Sequence, residues 1–199
     1  MHPNEAFAWR DEAAMRAFVD TTAFAQLTAV VDGLPVAAHA PMVTAPDGSI
    51  RFHLARGNVL TAHLDGAPVL ATIVGTHFYV SPDWYGTPDQ VPTWNYAMVE
   101  AAGTARRLDP DELRDQIDRL SAVHETRLLP KPLWSSAKMD PRRLDAMLRA
   151  IAGFAIEAPV IRGTIKMGQN KSSDEAAGAI AALRARGDAA AADAMEAAR

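Results

Sequence analysis

Cysteine is absent from this chain of 199 residues. Its absence excludes disulfide bonds, thiolate metal sites and cysteine nucleophiles. No apolar run approaches the ~18 residues that a membrane-spanning helix needs. The first twelve residues, MHPNEAFAWRDE, lack the basic start and the apolar centre of a signal peptide. These absences lead us to expect a protein of the cytoplasm with no membrane partner.

An excess of positive charge is also missing, since 20 Lys and Arg residues stand against 24 Asp and Glu residues, for a formal net charge of −4. A protein that follows the phosphates of nucleic acid over a broad surface needs the opposite balance. Only a local basic cluster remains, formed late in the chain by Arg162, Lys166 and Lys171. The composition therefore argues against extensive contact with DNA.

Common catalytic motifs are not found either. The chain has no nucleophile elbow, no Walker loop and no G-x-G-x-x-G. Its six histidines include no pair with a spacing such as H-E-x-x-H, so no metal is predicted. Most carboxylates stand at predicted helix starts or in the C-terminal tail, where capping or solvation explains them. Any redox chemistry must therefore be carried by a cofactor.

The pattern of apolar residues and turns predicts a first short helix, then many strands, and helices inserted late. Predicted strands cover 24–31, 34–43, 50–54, 68–74, 77–81, 95–108, 154–156 and 160–167, with Gly75 as a break between two of them. Asn58 is predicted to cap a short helix over 59–64. Longer helices are predicted after Asp109-Pro110 and Asp140-Pro141, and an alanine-rich helical tail from Ser173. This order favours an antiparallel barrel with helical decorations over a parallel α/β sheet.

The most distinctive stretch runs from His77 to Tyr96 and contains two of the four tryptophans and all three tyrosines. Its first half alternates, so that His77, Tyr79 and Ser81 should face one side of a strand and Phe78 and Val80 the other. The proline-rich loop that follows should hold the aromatic residues rigidly, because prolines reduce the entropy lost on ordering a loop. Such a wall would suit a flat ligand, and an aromatic plug at the end of a barrel is the alternative.

Two further segments are candidate sites. HLARGN at 53–58 runs from a strand into a helix start, where free N–H groups, the forked donor of Arg56 and the small Gly57 favour an anion such as phosphate. A solvated surface arginine is the alternative. KMGQNK at 166–171 offers several donors to an anionic or heterocyclic ligand, or else forms a polar turn before the next helix. His39 and His53 could meet across neighbouring strands.

Taken together, these segments resemble the PaiB family, described as FMN-binding proteins and negative transcriptional regulators. The matching pieces are AAHAP (37–41), HLARGN (53–58), HFYVSPDWYG (77–86), VPTWNY (91–96), GFAIE (153–157) and KMGQNK (166–171). They follow the family's order and cover nearly the whole chain. Near the C-terminus the family pattern reads K-x-S-Q-N, whereas this chain has Gly168 in place of the serine. That loss of a hydroxyl puts a ligand contact at this position in doubt.

The resemblance implies a mainly β fold with helices, namely an FMN-binding split barrel. Such a fold is a six-stranded antiparallel Greek-key barrel decorated by helices, with an α-helical C-terminal tail. The implied domain covers 1–171, with a helical insertion around 109–151, and the tail covers 172–199. A homodimer is implied, with FMN at the interface between the subunits. The implied cofactor-binding residues are His39, His53, Arg56, Asn58, Trp94, Asn95, Lys166, Gln169 and Asn170.

Three functions are compatible with this resemblance. The first is an FMN-binding regulator, for which DNA is an implied partner although neither charge nor a helix-turn-helix pattern supports direct DNA contact. The second is a flavin-dependent oxidoreductase that reduces a small substrate with NAD(P)H. The third is haem binding or degradation, for which His39, His63 and His77 are candidates.

Overall fold

The computed structural model describes residues 2–199. Its strands are β1 (Ala8–Trp9), β2 (Phe24–Val31), β3 (Leu34–Thr44), β4 (Ile50–Ala55), β5 (Pro68–Val80), β6 (Thr93–Arg107), β7 (Ile151–Ile156) and β8 (Val160–Lys166). Its α-helices are α1 (Glu12–Thr22), α2 (Pro110–Thr126), α3 (Pro141–Arg149), α4 (Ser173–Ala185) and α5 (Ala189–Ala197). Short 3-10 helices cover Glu5–Phe7, Val59–Ala62, Pro82–Tyr85 and Ser136–Lys138.

The strands form one sheet in the order β1-β8-β6-β5-β2-β3-β4-β7, and β6 also pairs with β7. That additional pairing closes six strands, β6, β5, β2, β3, β4 and β7, into a ring, while β8 and β1 extend the sheet beyond β6. A closed ring removes the exposed strand edges that an open sheet leaves. The predicted six-stranded antiparallel barrel with added helices is therefore confirmed.

The chain divides into two compact units. The first, here called the barrel unit, contains Ala13–Ile73 and Glu100–Ile161. The second, here called the tail unit, contains the N-terminal residues up to Glu12 together with Val74–Val99 and Arg162–Arg199. Strands β5, β6 and β8 each contribute residues to both units.

Alternation along the strands fills the interior of the barrel unit. In β2, every second residue from Ala25 to Val31 is buried. Phe52 of β4 and Phe154 of β7 are Cα partners, and their fully buried rings stack with centroids 5.7 Å apart. Burying a large apolar side chain contributes about 1.5–3 kcal/mol, so this layer of side chains supplies much of the unit's stability.

The tail unit has an apolar core of its own. Phe78 and Val80 of β5 are buried with Tyr85, and they pack in one cluster with Ile180 and Leu183 of α4 and with residues of α5. The alternation predicted for this stretch is confirmed, because His77 and Tyr79 on the opposite face are exposed. Both tail helices begin after a residue whose side chain caps the first turn. The C-terminal helices therefore form part of a packed core.

The predicted strand break at Gly75 is wrong. Gly75 does not end a strand, because β5 continues from Pro68 to Val80. The burial pattern changes phase there instead: Ile73 is buried among the odd-numbered residues before Gly75, and Phe78 among the even-numbered residues after it. Glycine in a strand often marks such an irregularity. The sequence signal was real, but it marks a change of face within one strand.

The predicted start of helix α2 at Asp109 is confirmed. Asp109 accepts hydrogen bonds from the backbone N–H groups of Asp111 and Glu112 at 2.9 and 2.8 Å, and the Glu112 carboxylate accepts one from the Asp109 N–H at 3.0 Å. This reciprocal arrangement is the predicted capping box. Within residues 2–199, no helix combines the length and the apolar character needed to cross a membrane.

Candidate functional site

The turn after β4 carries the predicted anion-binding residues. Arg56 is exposed, and its Nε donates a hydrogen bond to the backbone oxygen of Arg149 at 2.5 Å. Asn58 caps the following helix as predicted, its side-chain oxygen accepting from the Leu60 N–H at 3.0 Å. That helix is a four-residue 3-10 helix, Val59–Ala62, shorter than the predicted 59–64. Any anion held here would therefore depend on side-chain donors, since so short a helix adds little dipole.

A cavity of about 350 Å³ opens beside Arg56 in the barrel unit. Its apolar floor includes Leu113, Leu148 and Ile151. The charged residues around it are of both signs: Arg56, Arg107, Arg149, Asp109 and Asp145. The crevice is therefore lined by three arginines and two aspartates, with Arg56 at its rim.

The histidines predicted to meet have different neighbours. His39 of β3 is exposed, pairs with Gln26 of β2 and stacks on Phe24, with ring centroids 6.3 Å apart. His53 of β4 is half-buried, and its Nδ1 lies 3.2 Å from the Gln116 side-chain nitrogen on α2. Burial lowers the pKa of His53, so its ring stays neutral near pH 7. His39 is therefore the accessible histidine of this pair.

The barrel unit presents an apolar surface, here called the outer face. It consists of the residues of β2 and β3 that point away from the barrel interior, among them Phe24 and Val30, which are 56 and 66 % exposed. Pro35 and Pro41 oppose Val30 and Phe24 on the neighbouring strand. Exposed Gln26 and His39 lie on the same face between these apolar residues. Exposed apolar surface is found at protein and ligand interfaces.

The exposed aromatic wall predicted from the sequence is present in the tail unit. Trp94 is 56 % exposed and lies near two rings of β5. Its centroid is 6.4 Å from that of His77 and 6.3 Å from that of Tyr79, the latter in an edge-to-face arrangement. The Nδ1 of His77 lies 2.9 Å from the Gly75 backbone oxygen, which fixes the ring. The surface is available to a flat partner.

Next to β6, the tail unit contains a donor-rich cavity of about 250 Å³, here called the lysine pocket. It is lined by Tyr85, Thr93, Asn95, Lys166, Gly168, Asn170 and Lys171, together with Val91 and the N-terminal residues His2, Asn4 and Phe7. It thus brings together the VPTWNY and KMGQNK segments. The pocket's lining contains no carboxylate.

Among residues 2–199, two polar atoms on the wall of the lysine pocket have no hydrogen-bond partner. Asn95 is 1 % exposed, and its side-chain nitrogen is unpaired; Tyr85 is 3 % exposed, and its hydroxyl is unpaired. A buried polar group without a partner costs about 1–3 kcal/mol. Burial, together with the negative charge of Glu175, raises the pKa of Tyr85, which keeps the phenol neutral and able to donate.

The lysines of the pocket are held by neutral oxygens. Lys166 donates to the Thr93 hydroxyl, and Lys171 donates to the side-chain oxygen of Gln90. The Lys171 ammonium also lies 4.4 Å from the centroid of the Tyr85 ring. Burial and the positive charge of Lys171 lower the pKa of Lys166. Two cations therefore line one small cavity, and within residues 2–199 neither forms an ion pair with the nearby Glu175 carboxylate.

Gln169 supports the pocket from behind. Its side-chain oxygen accepts from the Met167 N–H and its side-chain nitrogen donates to the Ile165 oxygen, both at 2.8 Å. It thereby shapes the turn that continues through Gly168, whose φ of +81° suits glycine. Sequence reasoning had named Asn95, Lys166, Gln169 and Asn170, but it missed Tyr85 and Lys171 as parts of one site. The only available signal was the polar run 166–171 itself.

Comparison with known proteins identifies the family to which the chain belongs. Residues 1–159 match the sequence profile of the family described as "Putative FMN-binding domain". The chain belongs to this family. It is also 31% identical over 162 residues to "Protease synthase and sporulation protein PAI 2" of Bacillus subtilis, which covers 79% of this chain and 77% of that protein. The resemblance to the PaiB family is thereby confirmed.

Solved structures share the fold. The FAD and heme binding protein of Mycobacterium smegmatis superposes with a TM-score of 0.61 at 19% identity, covering 88% of this chain and 79% of that one. The flavocytochrome Anf3 of Azotobacter vinelandii superposes with a TM-score of 0.59 at 16% identity, covering 83% and 72%. At these identities the likeness concerns the fold, which is that of the split-barrel proteins.

Proposed function

We propose that this protein binds FMN, with the phosphate held at the turn that carries Arg56 and Asn58. Membership of a family described as an FMN-binding domain supports a flavin ligand. The observation that carries the placement is the state of Arg56, whose Nε is bound to the Arg149 oxygen while its two terminal amino groups have no protein partner within residues 2–199. That bond orients a forked donor toward solvent, ready for a phosphate.

Asn58 supplies a second donor in this proposal. Its side-chain oxygen is used by the Leu60 N–H, so its amide NH₂ is the part left to face a ligand. Gly57 between the two donors is exposed, and a Cβ added there would meet nothing within 4 Å. A phosphate could approach the backbone closely at this point. FMN ends in such a phosphate monoester, whereas FAD does not, which favours FMN.

The isoalloxazine ring, in the same proposal, lies against the outer face beside His39 and Phe24. Strand β3 runs antiparallel to β4 and contacts the 3-10 helix after Arg56, so the His39 end of β3 lies toward the proposed phosphate site. The exposed apolar residues of the outer face are proposed to be covered by the same surface of a second subunit. A cytoplasmic homodimer with flavin in the seam would bury them.

Titration of the purified protein with FMN and riboflavin, followed by flavin fluorescence, tests the phosphate site. We expect Arg56→Ala to weaken FMN binding by roughly 10- to 100-fold, the effect of losing a charge-assisted hydrogen bond, and to leave riboflavin binding nearly unchanged. Arg142→Ala, an exposed arginine on α3, is the charge-matched control. An unchanged preference for FMN over riboflavin in Arg56→Ala would place the phosphate elsewhere.

Molar mass in solution tests the dimer. Val30→Asp puts a charge on the outer face near the β2–β3 turn, where burial against a second subunit would be unfavourable. We expect the wild type to have twice the mass of one chain and the variant to have the mass of a single chain with an unchanged circular dichroism spectrum. A wild-type protein of single-chain mass at micromolar concentration would contradict the proposed seam.

A regulatory role would act without broad DNA contact, given the net charge of −4. A retardation assay with promoter DNA at two salt concentrations would show no shift at either.

A flavin-dependent oxidoreductase is the second candidate, favoured by the lysine pocket, since an enzyme needs a site for a substrate in addition to its cofactor. Anaerobic addition of NADPH to the flavin-loaded protein would bleach the flavin in that case.

A further inference from the structure

We infer that the lysine pocket binds a small oxyanion, a carboxylate or a phosphate, at a site separate from the proposed flavin phosphate site. The first reason is the composition of its walls. Two lysines, a buried amide and a phenol converge on about 250 Å³, and no acidic residue lines the space. Such a set donates hydrogen bonds far more readily than it accepts them.

The second reason is the pair of unpartnered atoms. The Asn95 nitrogen and the Tyr85 hydroxyl are buried, because Asn95 is 1 % exposed and Tyr85 is 3 % exposed. Solvent water therefore does not replace their missing hydrogen-bond partners. Most buried polar groups in folded proteins are paired, and an exception calls for an explanation. A bound oxyanion would accept hydrogen bonds from both atoms.

The third reason is the crowding of positive charge. Lys166 and Lys171 are close enough for each charge to disfavour the other, and within residues 2–199 neither forms an ion pair. Within residues 2–199 their ammonium groups donate to the neutral oxygens of Thr93 and Gln90, and that of Lys171 also lies over the Tyr85 ring. An anion between them would replace repulsion by two favourable interactions. The volume fits a small molecule or one end of a larger one.

Gly168 provides the space for this ligand. A Cβ at position 168 would lie 3.9 Å from the Asn95 nitrogen and 3.9 Å from the Lys171 side chain. The same Cβ would lie 3.3 Å from the Met195 Cε, so any larger residue would crowd this part of the wall and glycine leaves it uncrowded.

Phosphate and acetate are the probes, used in the Arg56→Ala background so that the proposed flavin site cannot contribute. Calorimetric titration of this variant, without added flavin, should show binding of one or both anions. Replacing Lys166 or Lys171 by methionine should weaken that binding roughly 10-fold or more. Lys138→Met, an exposed lysine of the barrel unit, is the control and should change nothing.

Tyr85→Phe separates a binding role from a structural one. The variant removes only the unpartnered hydroxyl, so its melting temperature without anion should equal or exceed that of the parent. Its affinity for the anion should nevertheless fall several-fold. A merely structural tyrosine would give the opposite pattern, with a lower melting temperature and unchanged affinity.

Three results would overturn the inference. The first is that neither phosphate nor acetate binds the Arg56→Ala protein. The second is equal anion affinity in the parent and in the two lysine variants. The third is loss of the preference for FMN over riboflavin when Lys166→Met is made in the otherwise wild-type chain, because the flavin phosphate would then be the occupant. Failure of the proposed FMN site at Arg56 alone leaves the first two readouts unaffected.

Discussion

In the barrel unit, the buried guanidinium of Arg51 lies between the carboxylates of Asp47 and Asp115, at 2.9 and 3.4 Å. In the tail unit, Lys166 and Lys171 share a pocket lined by no carboxylate. The first cation is balanced by the protein itself and acts in holding the fold. Within residues 2–199 the second pair forms no ion pair, although the Glu175 carboxylate acts electrostatically on Lys171. Buried Arg51 and the partly buried lysines therefore have different surroundings, and the partners of each cation indicate what it does.

Replacing Arg51 by methionine should give the largest loss of stability. Arg51 is 8 % exposed and also donates to the Ser49 hydroxyl. Losing its charge-assisted bonds should lower the free energy of unfolding by about 2–3 kcal/mol, measured by urea denaturation. Arg114→Met, which breaks an exposed pair with Asp118 on α2, should cost no more than about 0.5 kcal/mol. Equal losses would show that burial does not distinguish the two arginines.

The capping box of α2 is the next strongest contribution. Asp109→Ala removes the side chain that accepts from two backbone N–H groups, and should lower the free energy of unfolding by about 1 kcal/mol. Thermal and urea denaturation would measure it. The mid-helix change Asp118→Ala serves as control. A loss no larger than the control's would mean that the cap adds nothing to the fold.

Lowering the pH should reduce the stability that the ionised Asp47 carboxylate gives to the fold. Hydrogen bonds from Ser49, together with Arg51, lower its pKa from 3.8 to about 2. A depressed folded-state pKa gives stability that is fully present above the unfolded-state value and is lost as the pH falls through the folded-state value. Between pH 4 and 2, the wild type should therefore lose stability more steeply than Asp47→Asn. Parallel curves from urea denaturation across this range would contradict the assignment.

The lysines of the pocket should give the smallest change. Without an anion, Lys166→Met or Lys171→Met removes a cation that its neighbour repels, so the free energy of unfolding should change by less than about 0.5 kcal/mol or rise slightly. Urea denaturation in a buffer free of phosphate and carboxylate would measure it. A loss as large as that expected for Arg51→Met would give the lysines a structural role and erase the contrast between the two units.

Much of the fold could be predicted because its signals are local. Asp32-Gly33 between two alternating runs, and Asp109 with Glu112 three residues later, each specify a turn or cap within a few residues. The extent of β5 was misjudged because a glycine signals an irregularity without saying whether the strand ends there. The helix after Asn58 was predicted too long, since a four-residue 3-10 helix leaves no periodicity to read.

The site was harder to predict because it depends on contacts between distant residues. Tyr85 and Lys171 lie 86 positions apart in the sequence, and only the folded tail unit places the ammonium over the ring. Nothing near Asn95 in the sequence indicates that its amide will be buried without a partner. The resemblance between whole motifs supplied several of the residues, and the structure supplied their arrangement. Whether His39, Arg56 and Asn58 hold flavin stays a prediction.

A crystal structure of the protein grown with FMN and inorganic phosphate would test the central claim most directly. We predict the flavin phosphate on Arg56 and Asn58, and a separate phosphate or carboxylate within hydrogen-bonding distance of Tyr85, Asn95 and Lys166. A flavin whose own phosphate occupies the lysine pocket, with Arg56 free in solvent, would contradict both assignments at once.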